Sequence, residues 1–250
     1  MPAPIALQLY TLRQELARDF DATIEKVAAV GYAGVETASF AGTTVSAAAR
    51  KFRDLGLTVC GVHAPLPVGD RQAEVLDTMQ ALGCRRLVCA SQPHELFQTL
   101  DGIRRVCDTL NEASAVAQAH GLSLGYHNHW FEFQRVEGRP AHQHLRGCLS
   151  PEVFFEIDAY WAQTAGADPA AILRDLGPRV PLIHLKDGPA VQGQPMLALG
   201  QGVMDIPGLL RACAGHAEWL IVELDECATD MFEAVRLSYQ YLIANGAGRG

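Results

Sequence analysis

One closed α/β barrel, a single (β/α)8 TIM barrel over residues 1–250, is the fold this sequence predicts, on three observations. Short apolar runs alternate with longer amphipathic ones, eight times over. Glycine recurs just after the amphipathic runs. The alternation continues from end to end without a linker, a low-complexity segment or a shift in composition. Repeated strand-helix units in a chain of this length close most readily into one barrel.

The short runs lie at residues 5–10, 34–37, 58–63, 86–90, 123–129, 153–158, 182–186 and 219–224. Each is of strand length and lacks strict polar alternation, the pattern of parallel strands buried on both faces. Between them, residues 19–30 open on Asp19, a good capping residue, and stop at Gly31. Residues 44–55, 70–82 and 101–120 stop at Gly56, Gly83 and Gly121. Residues 168–176 start with Asp168 and Pro169, suited to a first helical turn, and stop at Gly177. Residues 207–214 and 229–244 complete the helices. Segment 130–150 reads as irregular and segment 187–205 as a long glycine-rich loop. Loops after the fifth and seventh strands would lie over the barrel mouth, where such folds keep their active sites. An open doubly wound sheet would more often carry a glycine-rich phosphate turn after its first strand. Here that turn reads Tyr10-Thr11-Leu12-Arg13.

Hydrophobic residues make up 49% of the chain and charged residues 19%, which suits a buried core and opposes disorder. The formal net charge is -8, with both signs mixed and no basic stripe, so nucleic acid is not an expected partner. The seven cysteines are scattered, with no C-x-x-C, and several sit in apolar runs such as Leu87-Val88-Cys89-Ala90. Buried free thiols in a reducing compartment are expected. The start, Met1-Pro2-Ala3-Pro4, has neither the basic stretch nor the apolar core of a signal peptide. No apolar run approaches the roughly 20 residues that span a bilayer. A cytoplasmic protein without a membrane partner is the expectation.

Polar residues gather at the C-terminal ends of the apolar runs. These are Glu36, His63, the Tyr126-His127-Asn128-His129 stretch, Glu156 and Asp158, His184 with Lys186 and Asp187, and Glu223 with Asp225. A charged group on a buried strand is costly unless it is paired or bound to metal. Several at the same end of successive strands would converge in a barrel. Strand periodicity places His127 with His129, Glu156 with Asp158, and His184 with Lys186 on common faces. Carboxylates and imidazoles meeting from different strands are the usual composition of a Zn, Mn or Co site. Asp158, His184 and Glu223, with His127 from the fifth strand, are the preferred metal ligands. Each also has a plainer reading. His184 alone would be a hydrogen-bonded core histidine, Glu223 could pair with Lys186, Glu156 with an arginine, and Glu36 could bond to the first strand's loop.

These strand ends resemble the xylose isomerase-like barrel family of sugar phosphate isomerases and epimerases. The matching stretches are Gly31 to Glu36, Tyr126-His-Asn-His-Trp-Phe-Glu132-Phe, Glu156-Ile-Asp158-Ala-Tyr-Trp161, His184-Leu-Lys-Asp187, Val222-Glu223 and Gly166-Ala-Asp168-Pro169. The resemblance implies a divalent metal held by acidic residues of strands five, six and eight and a histidine of strand seven. Asp158, His184 and Glu223 fall on three of those positions. The fourth departs, because the usual strand-five glutamate aligns with His127, one residue of ambiguity leading toward His129. Mn or Zn is the expected ion, with Co or Mg also compatible.

The resemblance further implies a small sugar-like α-hydroxy carbonyl substrate and proton removal to an enediolate. Glu223, or a histidine of the strand-five motif such as His127, would take the proton, and Lys186 would bind or polarise a substrate oxygen. His63, Glu36, His129, Glu132, Glu156, Trp161 and Tyr10 are candidate substrate contacts. Many family members form homo-oligomers. A lyase of the same fold shares the first half of the reaction and stays open as the alternative. A related DNA-repair endonuclease is disfavoured by the acidic balance, and a metal-free sugar-binding barrel is the non-enzymatic reading.

Overall fold

Eight parallel strands close into a ring in the computed structural model, which describes residues 2–248. They are β1 (Ile5–Gln8), β2 (Gly34–Thr37), β3 (Thr58–His63), β4 (Arg86–Cys89), β5 (Ser123–His127), β6 (Phe154–Asp158), β7 (Leu182–Leu185) and β8 (Trp219–Val222). Neighbours in the ring are neighbours in the chain, and Ile5 of β1 pairs with Leu220 of β8 to close it. The outer layer holds α1 (Arg13–Arg18), α2 (Phe20–Val30), α3 (Val45–Asp54), α4 (Gln72–Leu82), α5 (Leu100–Ala119), α6 (Ala141–Cys148), α7 (Ala159–Thr164), α8 (Pro169–Leu176), α9 (Ile206–Cys213) and α10 (Met231–Ala244). This is the expected (β/α)8 barrel. Among the described residues no helix is long and apolar enough to cross a membrane.

The helix starts follow from local chemistry. Asp19, Thr44, Thr99, Asp168, Asp205 and Asp230 each accept the backbone N–H three residues on, satisfying a donor that the first turn would leave unpaired. Gly31 ends α2 at φ +112°, a conformation that a side chain would strain.

Several strands stop earlier than their apolar runs. The run at 5–10 leaves β1 after Gln8, whose side chain accepts the Tyr10 N–H at 3.0 Å and turns the chain into a 3-10 helix. The run at 123–129 ends as strand at His127. There the Asn128 amide accepts from Asp158 N at 3.0 Å and donates to Asp158 O at 3.1 Å, taking over the place of a backbone ladder.

Two expectations need correction. Segment 130–150 is not irregular: it holds a 3-10 turn at Phe131–Phe133, a short antiparallel ladder of Arg135–Val136 with Arg139–Pro140, and α6. Nor are all seven cysteines free. Cys107 of α5 and Cys148 of α6 form a disulfide with Cα atoms 5.9 Å apart, whereas Cys60, Cys84, Cys89, Cys213 and Cys227 are free. Separated by 41 positions, the pair becomes visible only once α6 is recognised as a helix lying along α5.

The large core lies between ring and helices, and a smaller one plugs the ring itself. That plug is Ala6, Cys60, Val88, Phe154, Leu182 and Ile221. A side chain at Gly125 would run into the Phe154 ring, at 2.1 Å, so the glycine lets that ring fill the floor. Because successive inward residues on a strand lie two apart, the next inward position on β6, β7 and β8 falls at Glu156, His184 and Glu223. The polar layer therefore sits directly on an apolar floor.

Candidate active site

The inward residues above the plug form two tiers at the C-terminal end of the strands. In the lower tier Glu36 Oε2 accepts from Gln8 Nε2 at 2.8 Å and lies 2.6 Å from His184 Nε2. Gly61 leaves the room: a Cβ there would come within 2.3 Å of Glu36 Oε1. Glu156 Oε2 is 2.7 Å from His63 Nε2 and 3.0 Å from His127 Nδ1. In the upper tier Lys186 Nζ is 2.9 Å from Asp158 Oδ2, 2.8 Å from Glu223 Oε2 and 2.8 Å from Asp225 Oδ2. His184 spans both tiers, its Nδ1 lying 2.7 Å from Glu223 Oε2.

Burial and charge explain the protonation of the group. Burial alone would push Glu36 and Glu156 up, but His63 and His184 hold both below the usual carboxylate range. Burial opposes charge on His63, yet Glu36 and Glu156 raise it to about 10, and His184 is raised by the same two carboxylates and Glu223. His127 goes the other way, because burial outweighs its contact with Glu156. Asp158 is pushed up to about 6 by burial despite Lys186. Glu223 is driven down by Lys186 and His184 against its burial.

Two sets of side chains could hold a metal ion, each with ligand atoms within 4.8 Å of one another. One is His127, Asp158, His184 and Glu223; the other is His63, His127, Glu156 and His184. A neutral imidazole has one lone pair, so His127 and His184 can serve one set at a time. The first set has the stronger fit. Its Asp158 Oδ2 is buried with the Lys186 ammonium 2.9 Å away as an ion-pair partner, and the opposite nitrogens of His127 and His184 already face Glu156 and Glu36. Carboxylates behind histidines in this way orient a ligand's free nitrogen toward a metal.

Over this group opens a cavity of about 690 Å³. Tyr10, His63, His127, His129, Lys186 and Glu223 reach its wall, so the structure brings most of the sequence-derived candidates together. Glu36 and Glu156 are fully buried beneath them. Trp161 stands beside the group, with Lys186 Nζ 5.4 Å from its ring centre, and donates its backbone N–H to Asp158 Oδ1 at 2.9 Å.

Glu132 is not brought to the cavity. It lies behind β5, where it accepts from Tyr126 Oη at 2.7 Å and from His129 N at 2.9 Å. Burial pushes it up to about 7. Of the plainer pairings, Glu223 does meet Lys186, which also takes Asp158 and Asp225, whereas Glu156 meets histidines rather than an arginine. Asp187 turns away into the long loop, where its carboxylate accepts the N–H groups of Gly188, Gly200, Gly202 and Met204.

Sequence reasoning missed Arg13 and Ser39 as wall residues. Their signal was position alone, a few residues beyond the ends of β1 and β2.

Comparison with known proteins agrees with this architecture. A family model described as a xylose isomerase-like TIM barrel matches residues 24–240. A solved sugar phosphate isomerase/epimerase from Parabacteroides distasonis is similar at 25% identity and TM-score 0.81, over 96% of this chain and 97% of that one. An L-ribulose 3-epimerase structure shares the fold at 17% identity and TM-score 0.71, over 97% and 94%. A probable 3-DHS dehydratase from Bacillus anthracis shares it at 11% identity and TM-score 0.74, over 96% and 98%. Among curated proteins, none matches the chain.

Proposed function

Because the chain belongs to the xylose isomerase-like TIM barrel family, we propose that it is a metal-dependent isomerase or epimerase acting on a small sugar-like α-hydroxy carbonyl compound. The observation that carries this reading is the convergence of His127, Asp158, His184 and Glu223 from four strands at the barrel mouth. The ion would be Mn or Zn, with Co or Mg compatible with the same donors. When bound, it supplies Lewis-acid stabilisation of the negative charge that develops as the α-proton leaves.

The chain's own residues do the rest. Glu223 is ionised and reaches the cavity, so it can accept the α-proton to give an enediolate. Lys186, raised by Asp158 and Glu223 against its burial, stays charged and can hold a substrate oxygen. His129 is held at about 4 by burial and by Lys186, so it is neutral at pH 7 and able to exchange hydrogen bonds with a hydroxyl group. The apolar plug and the buried lower tier keep water from reaching the group from below.

A lyase outcome is the second reading, favoured by one observation. With Glu132 behind β5, that strand presents His127 and His129 to the cavity and no carboxylate opposite Glu223. One carboxylate base suits proton removal followed by loss of a β-substituent at least as well as two-sided epimerisation. The dehydratase among the fold neighbours fits this alternative.

Incubation of the Mn- or Zn-loaded protein with keto-sugars in deuterated water tests both. Deuterium in a product of unchanged composition marks an isomerase or epimerase, whereas release of water or an aglycone marks a lyase. Glu223→Gln should reduce either signal by about 100-fold or more. Full activity in Glu223→Gln, or in protein stripped of metal, would sink the proposal.

A further inference from the structure

The cations around the cavity are unequally neutralised. Lys186 has Asp158, Glu223 and Asp225 within 2.9 Å. His63 and His184 are matched by Glu36 and Glu156. Arg13 also lines the cavity, and among the described residues it has no carboxylate within ion-pair distance. Its guanidinium instead donates to two backbone carbonyls, Nη1 to Tyr10 O at 3.0 Å and Nη2 to Asp225 O at 2.8 Å, and lies 4.2 Å over the Tyr10 ring.

That arrangement holds the group still without cancelling its charge. A guanidinium has five N–H donors, so several stay free, in a planar fork that matches an oxyanion. Asp225 fixes the spacing, because its backbone oxygen takes Arg13 while its carboxylate takes Lys186. Arg13 and Lys186 thus meet the same residue and line the same cavity, Lys186 beside the metal-binding carboxylates and Arg13 away from them. Ser39 lines the same cavity and adds a neutral hydroxyl.

We propose that Arg13 forms an oxyanion subsite at the rim of the cavity and that the substrate carries a carboxylate or a phosphate on the end remote from its carbonyl. This deepens the proposed function and rests on it for the location of the reacting end. Among the described residues no hydrogen bond or ion pair joins Arg13 to the metal-binding set, so it acts on selection of the substrate and not on proton removal.

Binding of D-fructose, D-fructose 6-phosphate and D-fructuronate, measured by calorimetry on the metal-loaded full chain, tests the subsite. The wild-type protein should bind at least one charged sugar about tenfold more tightly than fructose. Arg13→Gln should lose that advantage while binding fructose as before, and Arg13→Lys should keep part of it. Preference for the phosphate identifies a sugar phosphate, and preference for the uronate a sugar acid. If the wild-type protein binds neither charged sugar better than fructose, the subsite is refuted. If Arg13→Gln weakens all three equally, Arg13 only ties the β1 and β8 loops together. Because binding is read without turnover, failure here leaves the deuterium test of proton removal standing, and failure of that test leaves this one readable.

Discussion

Glu132 combines full burial with hydrogen bonds from Tyr126 and the His129 backbone, and among the described residues no cation stands at ion-pair distance. Its carboxyl is pushed by burial from 4.5 up to about 7. The folded chain thus keeps this proton to higher pH than the unfolded chain does. Stability contributed by the protonated form is present below about 4.5 and is lost as pH rises toward about 7, by on the order of 3 kcal/mol. Urea titrations at pH 5 and pH 8 should show a larger fall in stability for the wild-type protein than for Glu132→Gln, which cannot ionise. Equal falls would mean that Glu132 titrates normally. The same residue shows where reading by motif stops. Its place in the Tyr126-to-Phe133 stretch was legible, but the side on which it lies depends on the 3-10 turn at Phe131–Phe133. That turn carries Glu132 back against Tyr126 instead of forward to the cavity.

Among the elements, α6 was the least visible. Ala141–Cys148 is short, holds two histidines, an arginine and a glycine, and lacks a side-chain cap, so local propensity argues weakly for a helix. Packing along α5 and the Cys107–Cys148 disulfide hold it in place. Closing a loop of 41 residues should contribute about 3–4 kcal/mol by restricting the unfolded chain. Cys148→Ser should therefore lower the melting temperature by several degrees, and added reductant should lower that of the wild-type protein but not of the variant. No shift in either case would show that the bond contributes nothing. The capped helices behaved otherwise. Asp19, Thr44, Asp168 and the glycine stop at Gly31 act within one turn, so their sequence signals and structural boundaries coincide.

For the whole molecule, the barrel brings five carboxylates to its mouth, Glu36, Glu156, Asp158, Glu223 and Asp225, around Lys186 and the histidines. A divalent ion that binds this folded arrangement and not the unfolded chain must raise stability, by about 2.7 kcal/mol at one hundred times its dissociation constant. Mn or Zn should raise the melting temperature, a chelator should reverse the rise, and His184→Ala should abolish it. The gain should shrink below about pH 6, where Asp158 takes up a proton that competes with the ion. A melting temperature indifferent to both metals and to chelator would count against the metal centre.

The ring of strands and the polar character of their ends were readable from residue order. Apolar runs, caps and glycine stops are local properties, and alternation along β6, β7 and β8 already points Asp158, His184 and Glu223 one way. Most of the partners those groups take were not readable. Lys186 adding Asp158 and Asp225 to the Glu223 that the sequence already offered it, the histidines settling on Glu36 and Glu156, Glu132 turning back and Arg13 standing, among the described residues, without a carboxylate all depend on distances across a closed barrel. Those distances are set by strand stagger and by the volume of neighbouring side chains, which no local stretch of sequence encodes.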